Sequence, residues 1–442
     1  MRVFSSSRPR RGRRGLVRPS FRDPRFALLV AGEAVNSIGG WASAIVLWGF
    51  AAYRFNAGPY AVSLTIVCWA APPALLGPLL GVYIDRIGPK AAVMAGYCGA
   101  ACAALGMAAA GSLAELAIAA AGYGTARALA GPAASALPAR IIAAGGPATA
   151  DGAGDAAGAG DLLAANALLG AASSAGQVIG PLTASAALAL SGFPAAFVVD
   201  AASYLIGAAV VAPLPVRAIP AAGRPGWRRE LTEGLRLVGR QRAVRRVVAV
   251  SAAVTFTSAS YLVVEPLYAR HVLHRPPSQF ALFEAAAGIG GILAGLVISR
   301  VRARQAGGRG PQAGGRRPLT NGSVLAAGAI GYGLAAGLFT GTTSVPVAYA
   351  GAFAWGAAGM VFGAVALTAL QQNAPVSAHG RVMGVAATVQ SWVETLALPL
   401  GGLTVAALGV RAGALTLAGI AAAAGLASGP RTWWRPRDQG CE

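Results

Sequence analysis

Apolar residues run along this chain in long blocks, and polar residues interrupt them in short clusters. Twelve blocks stand out. Six lie at about 26–53, 59–84, 91–111, 113–140, 161–191 and 193–215, and six more at about 245–270, 277–300, 320–341, 344–374, 380–408 and 410–428. Glycine, proline or arginine punctuates each boundary, as expected where an element ends. A helix rising about 1.5 Å per residue crosses the hydrocarbon of a bilayer in roughly 20 residues, and the blocks match that length. The pattern predicts an all-α membrane protein of twelve transmembrane helices in two pseudo-symmetric six-helix bundles.

The polar segments complete this plan. Residues 1–25 are Arg-rich and carry no apolar core of signal-peptide length, so they read as a disordered cytoplasmic tail. A first bundle spans 26–215 and contains a flexible linker at 143–160, almost wholly Gly, Ala, Pro, Thr and Asp. Residues 216–244 join the halves. Within them, the run from Trp227 to Val238 repeats its apolar positions at helical spacing, which predicts an amphipathic helix at the inner surface. The second bundle spans 245–428, and 429–442 form a second cytoplasmic tail.

Composition supports a membrane solvent. Of 442 residues 55% are apolar and 61 more are glycine, against about 45–50% for both together in a soluble domain. Only 12% are charged, too few to cover a water-soluble globule of this size. The net charge of +21 does not point to nucleic acid, because the arginines flank apolar runs instead of lining an amphipathic face. Alternate loops hold them: Arg86 and Lys90, Arg140, the 217–246 and 300–317 clusters, and Arg381 with the tail. The other loops hold Arg54, Arg270 and Arg275, and Arg411, and three of them have no basic residue. This bias predicts an inner (plasma) membrane protein of a bacterium with both termini cytoplasmic.

Several features offer chemistry that the pattern does not favour. Cys98 and Cys102 share a helix face without a nearby histidine or carboxylate, and His271-x-x-His274 lacks a third ligand. The aspartates at 151, 155 and 161 lack calcium-loop spacing. No GxxxxGK[ST], HExxH or GxSxG is present, so no ATP site, metal or cofactor is expected, and the chain is not read as an enzyme.

An internal repeat links the halves. Gly77-x-x-x-Gly81-x-x-x-Asp85-Arg86 in the second block has a counterpart in Gly291-x-x-x-Gly295-x-x-x-Ser299-Arg300 in the eighth, and Gly192 and Ala195 match Gly409 and Ala412. Such symmetry marks transporter folds with a midplane site at the repeat interface. GxxxG spacing at Gly77 and Gly81 suits a close helix approach. An acid, an arginine and a lysine in a tight turn suit a latch against the other half.

The segment Gly81-Val-Tyr-Ile-Asp85-Arg86-Ile-Gly88-Pro-Lys90 closely resembles the G-x-x-x-D-R-x-G-x-[KR] signature of the major facilitator superfamily. Gly176-x-x-x-Gly180-Pro181 resembles a signature of its proton-coupled exporters, in which glycines and a proline bend a gating helix. Arg127-x-x-x-Gly131 resembles the arginine motif of drug–proton antiporters, with Ala130 where that pattern favours glutamine. Four further stretches resemble the macrolide-type efflux branch: Ser37-Ile-Gly-Gly-Trp41, Ala165-Asn166-Ala-Leu, Ala196-Phe-Val-Val-Asp200-Ala-Ala-Ser203-Tyr204 and Gly380-Arg381-Val-Met-Gly384. Gly40 stands where many of that branch carry an acid, so no coupling role transfers there. The resemblance implies that the first, fourth, seventh and tenth spans line a central cavity.

A charge within the hydrocarbon is expensive and marks a candidate site. Six of the 15 acids fall in predicted spans: Glu33, Glu115, Asp200, Glu265, Glu284 and Glu394. Glu115 falls at the outer rim. Glu33 lies about 10 Å in from the cytoplasmic end of its span, and Arg127 about 20 Å into the fourth. A carboxyl that alternates between a dry site and an arginine changes its proton affinity, so Glu33 is the leading coupling candidate. Arg127, Asp200, Glu265, Glu394 and Gln177 are the other coupling or cavity candidates, with Asp200 also readable as a structural acid beside Ser203 and Tyr204. Trp41, Trp48, Tyr261, Trp355, Gln390 and Trp392 are candidate substrate contacts or packing groups.

Together these features lead to a monomeric secondary active exporter of a small amphipathic compound, with the substrate, protons and the lipid bilayer as its partners. An importer or facilitator with the same fold, a transport-inactive sensor or scaffold, and a polytopic membrane enzyme are the alternatives.

Overall fold

The computed structural model describes residues 24–137, 153–214, 232, 236, 238–307, 322–374 and 379–429. Twelve long helices make up these residues. The first six are α1 (Pro24–Arg54), α2 (Pro59–Ile87), α3 (Pro89–Ala109), α4 (Leu113–Ser135), α5 (Ala153–Ser191) and α6 (Phe193–Val211). The second six are α7 (Arg242–His271), α8 (Pro277–Gly307), α9 (Gly322–Gly341), α10 (Val345–Asn373), α11 (His379–Leu408) and α12 (Val410–Ala427).

Short turns with specific chemistry separate the helices. Prolines occupy the first turn of α2, α3, α6 and α10, where the ring fits and no N–H is missed. Gly88, Gly192 and Gly409 adopt φ of 84°, 76° and 82°, a region closed to most residues with a Cβ. Gly192 and Gly409 occupy the equivalent α5–α6 and α11–α12 turns, so the sequence repeat coincides with a repeated backbone conformation. At the start of α4, Ser112 Oγ accepts from Glu115 N at 3.2 Å and Glu115 Oε2 accepts from Gly111 N at 2.8 Å. Glu115 is thus a helix-capping residue at the rim.

Packing repeats between the halves. α1 packs on α5 and α6, and α7 on α11 and α12. α3 packs on α4 and α6, and α9 on α10 and α12. α2 lies on α4 as α8 lies on α10. The two halves meet chiefly where α5 lies on α8 and α2 on α11. Large apolar side chains also point outward, Leu190 being 84% and Ile118 75% exposed, as lipid allows and water does not. Ten of the twelve helices are long and apolar enough to cross a membrane. The other two are α4, which carries Glu115 and Arg127, and α5, rich in alanine, glycine and serine.

Three expectations change. Residues 153–160, expected within a linker, are the first turns of α5. Their alanine content favours helix, and only 143–152 of that segment remain outside the described residues. α8 continues to Gly307, into the basic segment expected to be loop. Gly77 does not mediate a close helix contact: a Cβ there meets nothing within 4 Å, because α2 borders open space at that depth. The side chain of Asp85, most of both tails and most of 216–244, including the greater part of its expected amphipathic helix, lie outside the described residues.

Gly176 and Gly180 do mediate close approach, bringing α5 onto α1. A Cβ on Gly180 would stand 2.5 Å from Trp41 Cβ and 3.1 Å from the Ile38 carbonyl, and one on Gly176 would meet Ser37. Gly180→Val is therefore expected to lower stability by about 1–3 kcal/mol, whereas Gly77→Ala should stay within about 0.5 kcal/mol of the parent. Thermal unfolding of the purified protein in detergent checks both, and equal effects would contradict this packing.

Candidate functional site

One face of α1 faces the space between the halves. Glu33, Asn36, Ser37, Gly40, Trp41, Ala44 and Trp48 recur at helical spacing, and all line a cavity of about 1050 Å³. α4 contributes Arg127, Gly131 and Pro132, and α2 contributes Trp69 and Gly77. The opposite wall comes from the second half: Thr255 and Ser258 of α7, Glu284 of α8, Trp355 of α10, and Ser391 and Glu394 of α11. The cavity extends to Leu29, Leu137 and Asn166, near the end of the molecule that carries the α2–α3 turn.

The other end is shut by contacts between the halves. Tyr53 Oη donates to the Arg275 carbonyl at 3.0 Å. The Arg270 guanidinium lies 5.8 Å from the Tyr53 ring centre. Phe280 of α8 abuts Gly49 of α1, and Gly402 of α11 sits on Ser63 and Pro59 of α2. Phe50 stacks on Phe193 at 4.9 Å and packs on Phe197 at 5.7 Å, filling the first half behind this closure.

Arg127 is the cation of the cavity wall. Its guanidinium lies 5.2 Å from the Trp69 ring centre, a favourable cation–π placement. It makes no direct ion pair among the described residues; instead the charges of Glu33, Asp200 and Glu394 act on it from three sides. Glu33 lies beside the Tyr97 hydroxyl, and both line the cavity. Glu394 belongs to the other half, so Arg127 and Glu394 face one another across the cavity.

Asp200 lies behind this wall, fully buried. Its Oδ2 accepts from Tyr123 Oη at 2.7 Å, and Ser203 Oγ approaches Oδ1 at 3.4 Å. The Tyr123 and Tyr204 hydroxyls are 3.3 Å apart. Tyr204 itself reaches the cavity, so a chain of hydroxyls joins the buried acid to the lumen.

The candidates taken from sequence therefore separate. Glu33, Arg127 and Glu394 line the cavity, with Trp41, Trp48 and Trp355. Asp200, Glu265 and Gln177 are not part of its wall. Asp200 is turned towards Tyr123, and Gln177 lies at the α5–α8 seam, where its carbonyl meets Gly288. Glu265 sits inside the second half, 1% exposed, with its carboxyl beside that of Glu284. Tyr261, Gln390 and Trp392 also lie off the wall; Tyr261 Oη instead bonds the Ala336 and Ala414 carbonyls at 3.1 Å. Asn36, Trp69, Tyr97 and Tyr204 line it without having been singled out as candidates. Asn36 was legible from its spacing to Glu33, whereas the other three come from neighbouring helices whose rotation only packing sets.

Of the latch segment, Arg86 is exposed and Gly88 makes the turn. Lys90 Nζ donates to the Leu214 carbonyl at 3.0 Å, which ties α3 to the segment after α6 within one half. No group of three or more His, Cys, Asp or Glu able to hold a metal occurs among the described residues.

Twelve long helices, folded as two equivalent bundles around a shared central cavity, define a multi-pass membrane transporter. The chain belongs to the Major Facilitator Superfamily, whose family model matches residues 29–393. It is similar to the uncharacterized MFS-type transporter YfiS of Bacillus subtilis (strain 168), with 30% identity over 76 residues. That match spans 17% of this chain and 18% of the relative. Among solved structures, the fold is similar to the peptide transporter POT in complex with sulfate (TM-score 0.69, 15% identity, 91% of this chain and 93% of that one). It is also similar to the nucleoside transporter NupG (TM-score 0.68, 12%, 91% and 98%). A third is a bacterial homolog of the human lysosomal transporter Spinster, in an inward-facing and unoccupied conformation (0.68, 15%, 94% and 99%).

Tyr123→Phe removes the 2.7 Å donor to a buried carboxylate and is expected to lower stability by about 1–3 kcal/mol. Ser203→Ala, which loses a local 2.7 Å bond to the Asp200 carbonyl and only a 3.4 Å contact with its carboxylate, should have a smaller effect. Unfolding curves in detergent measure both. Parent-like stability of Tyr123→Phe would mean that Asp200 does not depend on this bond.

Proposed function

We propose that the protein exports a small amphipathic compound across the inner membrane of a bacterium by alternating access, with inward proton movement as the driving force. The observation that carries this reading is a cavity walled by both halves and shut at one end by contacts between them. With both termini cytoplasmic, the open end faces the cell interior, where an exporter loads. Four tryptophans in the wall, at 41, 48, 69 and 355, offer broad apolar surface beside a few charges, a lining that suits an amphipathic ligand.

In the proposed cycle Glu33 carries the proton. It shares Arg127 with Glu394, and rocking of the halves changes the Arg127–Glu394 separation while leaving Glu33 and Arg127 on one half. Strengthening one pairing weakens the other's hold on the guanidinium, which links the charge state of Glu33 to the rocking movement. Each proton entering supplies about 2.3 kcal/mol per 100 mV of membrane potential. Asp85, Arg86 and Lys90 form the latch on the inner side and meet the second half only when that side closes. Gly176, Gly180 and Pro181 act as the gating segment of α5, the helix that meets α8 across the seam. The drug–proton antiporter branch, a monomeric state and the absence of any cofactor belong to the same reading.

Two experiments test it. In proteoliposomes with an imposed proton gradient, Glu33→Gln is expected to leave less than about a tenth of gradient-driven transport while yield and folding persist. Asp85→Asn should slow transport in either direction. Full activity in Glu33→Gln removes Glu33 from coupling. In a background without native cysteines, Gly111→Cys should react with an impermeant maleimide in intact cells, and Arg86→Cys only after permeabilisation. The reverse pattern overturns the orientation and, with it, export.

A further inference from the structure

The shut end of the molecule is rich in cations. Its turns all lie among the described residues, and with the adjoining helix ends they carry Arg54, Arg270, His271, His274, Arg275 and Arg411. The acid found among them is Glu115, whose carboxylate already accepts from Gly111 N at 2.8 Å in its own turn. Glu265 lies about 7 Å deeper on α7 and has the Glu284 carboxyl as its neighbour.

Arg270 is the cation left without an answering group. Its Nη1 is buried and has no acceptor among the described residues. The guanidinium lies 5.8 Å from the Tyr53 ring centre, and the Tyr53 hydroxyl donates elsewhere, to the Arg275 carbonyl at 3.0 Å. The last carbonyls of α7 are also taken. Tyr268 O accepts from Val272 N and Leu273 N, and Ala269 O accepts from Arg275 N at 2.8 Å. His271 stands in the field of both Arg270 and His274, so the nearest titratable neighbour is itself a base. A buried guanidinium nitrogen with no acid in reach is costly, and an anion is the partner its geometry suits.

The turn does not require this cation. Asn56 in the α1–α2 turn and His274 in the α7–α8 turn adopt φ of 51° and 52°. The N–H after each bonds back to the Ala51 and Ala269 carbonyls at 3.1 and 2.8 Å. The two turns are therefore equivalent, and Ala52 stands in the first half where Arg270 stands in the second. One half supplies the charge and the other the Tyr53 wall, so a ligand of Arg270 sits between the halves. Phe280 against Gly49, and Phe55 on Phe50 at 5.3 Å, crowd this junction, which suits a compact ion better than a phosphate or sulfate group.

We propose that the junction of the α1–α2 and α7–α8 turns is an anion site, in which a small inorganic anion of the chloride class sits against Arg270 Nη1 and holds this end shut. The site concerns the closure alone and stands whether the protein exports or imports.

The test compares chloride with gluconate, at equal ionic strength, on the purified full chain in detergent. Chloride is expected to raise the unfolding temperature of the parent saturably, by about 3 °C. Arg270→Gln should cut that rise below about 1 °C, and Arg270→Lys, which keeps the charge, should retain at least about half of it. Arg411→Gln, whose parent guanidinium is occupied by the Gly341 carbonyl, should keep the full rise. A second readout follows the closure. Ser63 is fully buried beneath Gly402 at this end, so Ser63→Cys, without the native cysteines, should react with a maleimide about threefold more slowly in chloride. No rise in the parent, or a rise that survives Arg270→Gln as a general salt effect would, overturns the proposal. Equal labelling in the two salts overturns it as well, because the anion would then not favour closure. Arg270-dependent stabilisation by sulfate and not by chloride would also overturn it, by giving the place to a divalent oxyanion.

Discussion

Arg127 stands midway along α4, and a permanent positive charge at that depth is tolerable only with counter-charge and water within reach. Both conditions are met by the same device, a cavity into which the guanidinium points while Glu33, Asp200 and Glu394 act on it from different helices. Trp69 covers one face of the group at 5.2 Å, and Tyr97 stands beside Glu33. The polarity of α4, which keeps it off the roster of strongly apolar helices, follows from the same requirement. A helix that serves a wet cavity on one side cannot be apolar all round.

The halves are held together internally by contacts that suit a dry environment. On α7, Thr257 Oγ1 donates to the Leu417 carbonyl at 2.9 Å and Ser260 Oγ to the Ala397 carbonyl at 3.1 Å, fastening it to α12 and α11. In the first half, glycines bring α5 against α1, and Lys90 ties α3 to the segment after α6. Between the halves the specific contacts gather at one end, around Tyr53, Arg275 and Phe280. Two bodies that are well fastened within themselves and joined mainly at one edge are suited to pivot as units.

Much of this was legible before any coordinates. The twelve blocks, the split into two groups of six, and the repeated glycines at 192 and 409 all follow from lipid acting as a uniform solvent, which imposes the same length and polarity rule on every span. The line Glu33, Asn36, Ser37, Gly40, Trp41 on α1 was equally readable, since one helix carries its own periodicity. Residues 153–160 misled because alanine-rich sequence with scattered glycine and aspartate reads as a linker, although alanine is the strongest helix former. Gly77 misled because GxxxG spacing states that a close approach is permitted, not that a neighbour is present.

By itself, the sequence determined how many helices there are, where they turn, which residues lie on one face of each, and which charges are buried in lipid. Only the tertiary structure decided which faces meet. It set Arg127 opposite Glu394, turned Asp200 away towards Tyr123, and brought Glu265 behind Glu284. The physical reason is that hydropathy is a property of each segment against its solvent, whereas the pairing of buried charges depends on helix rotation and on partners far away in the chain. Local pattern does not encode those.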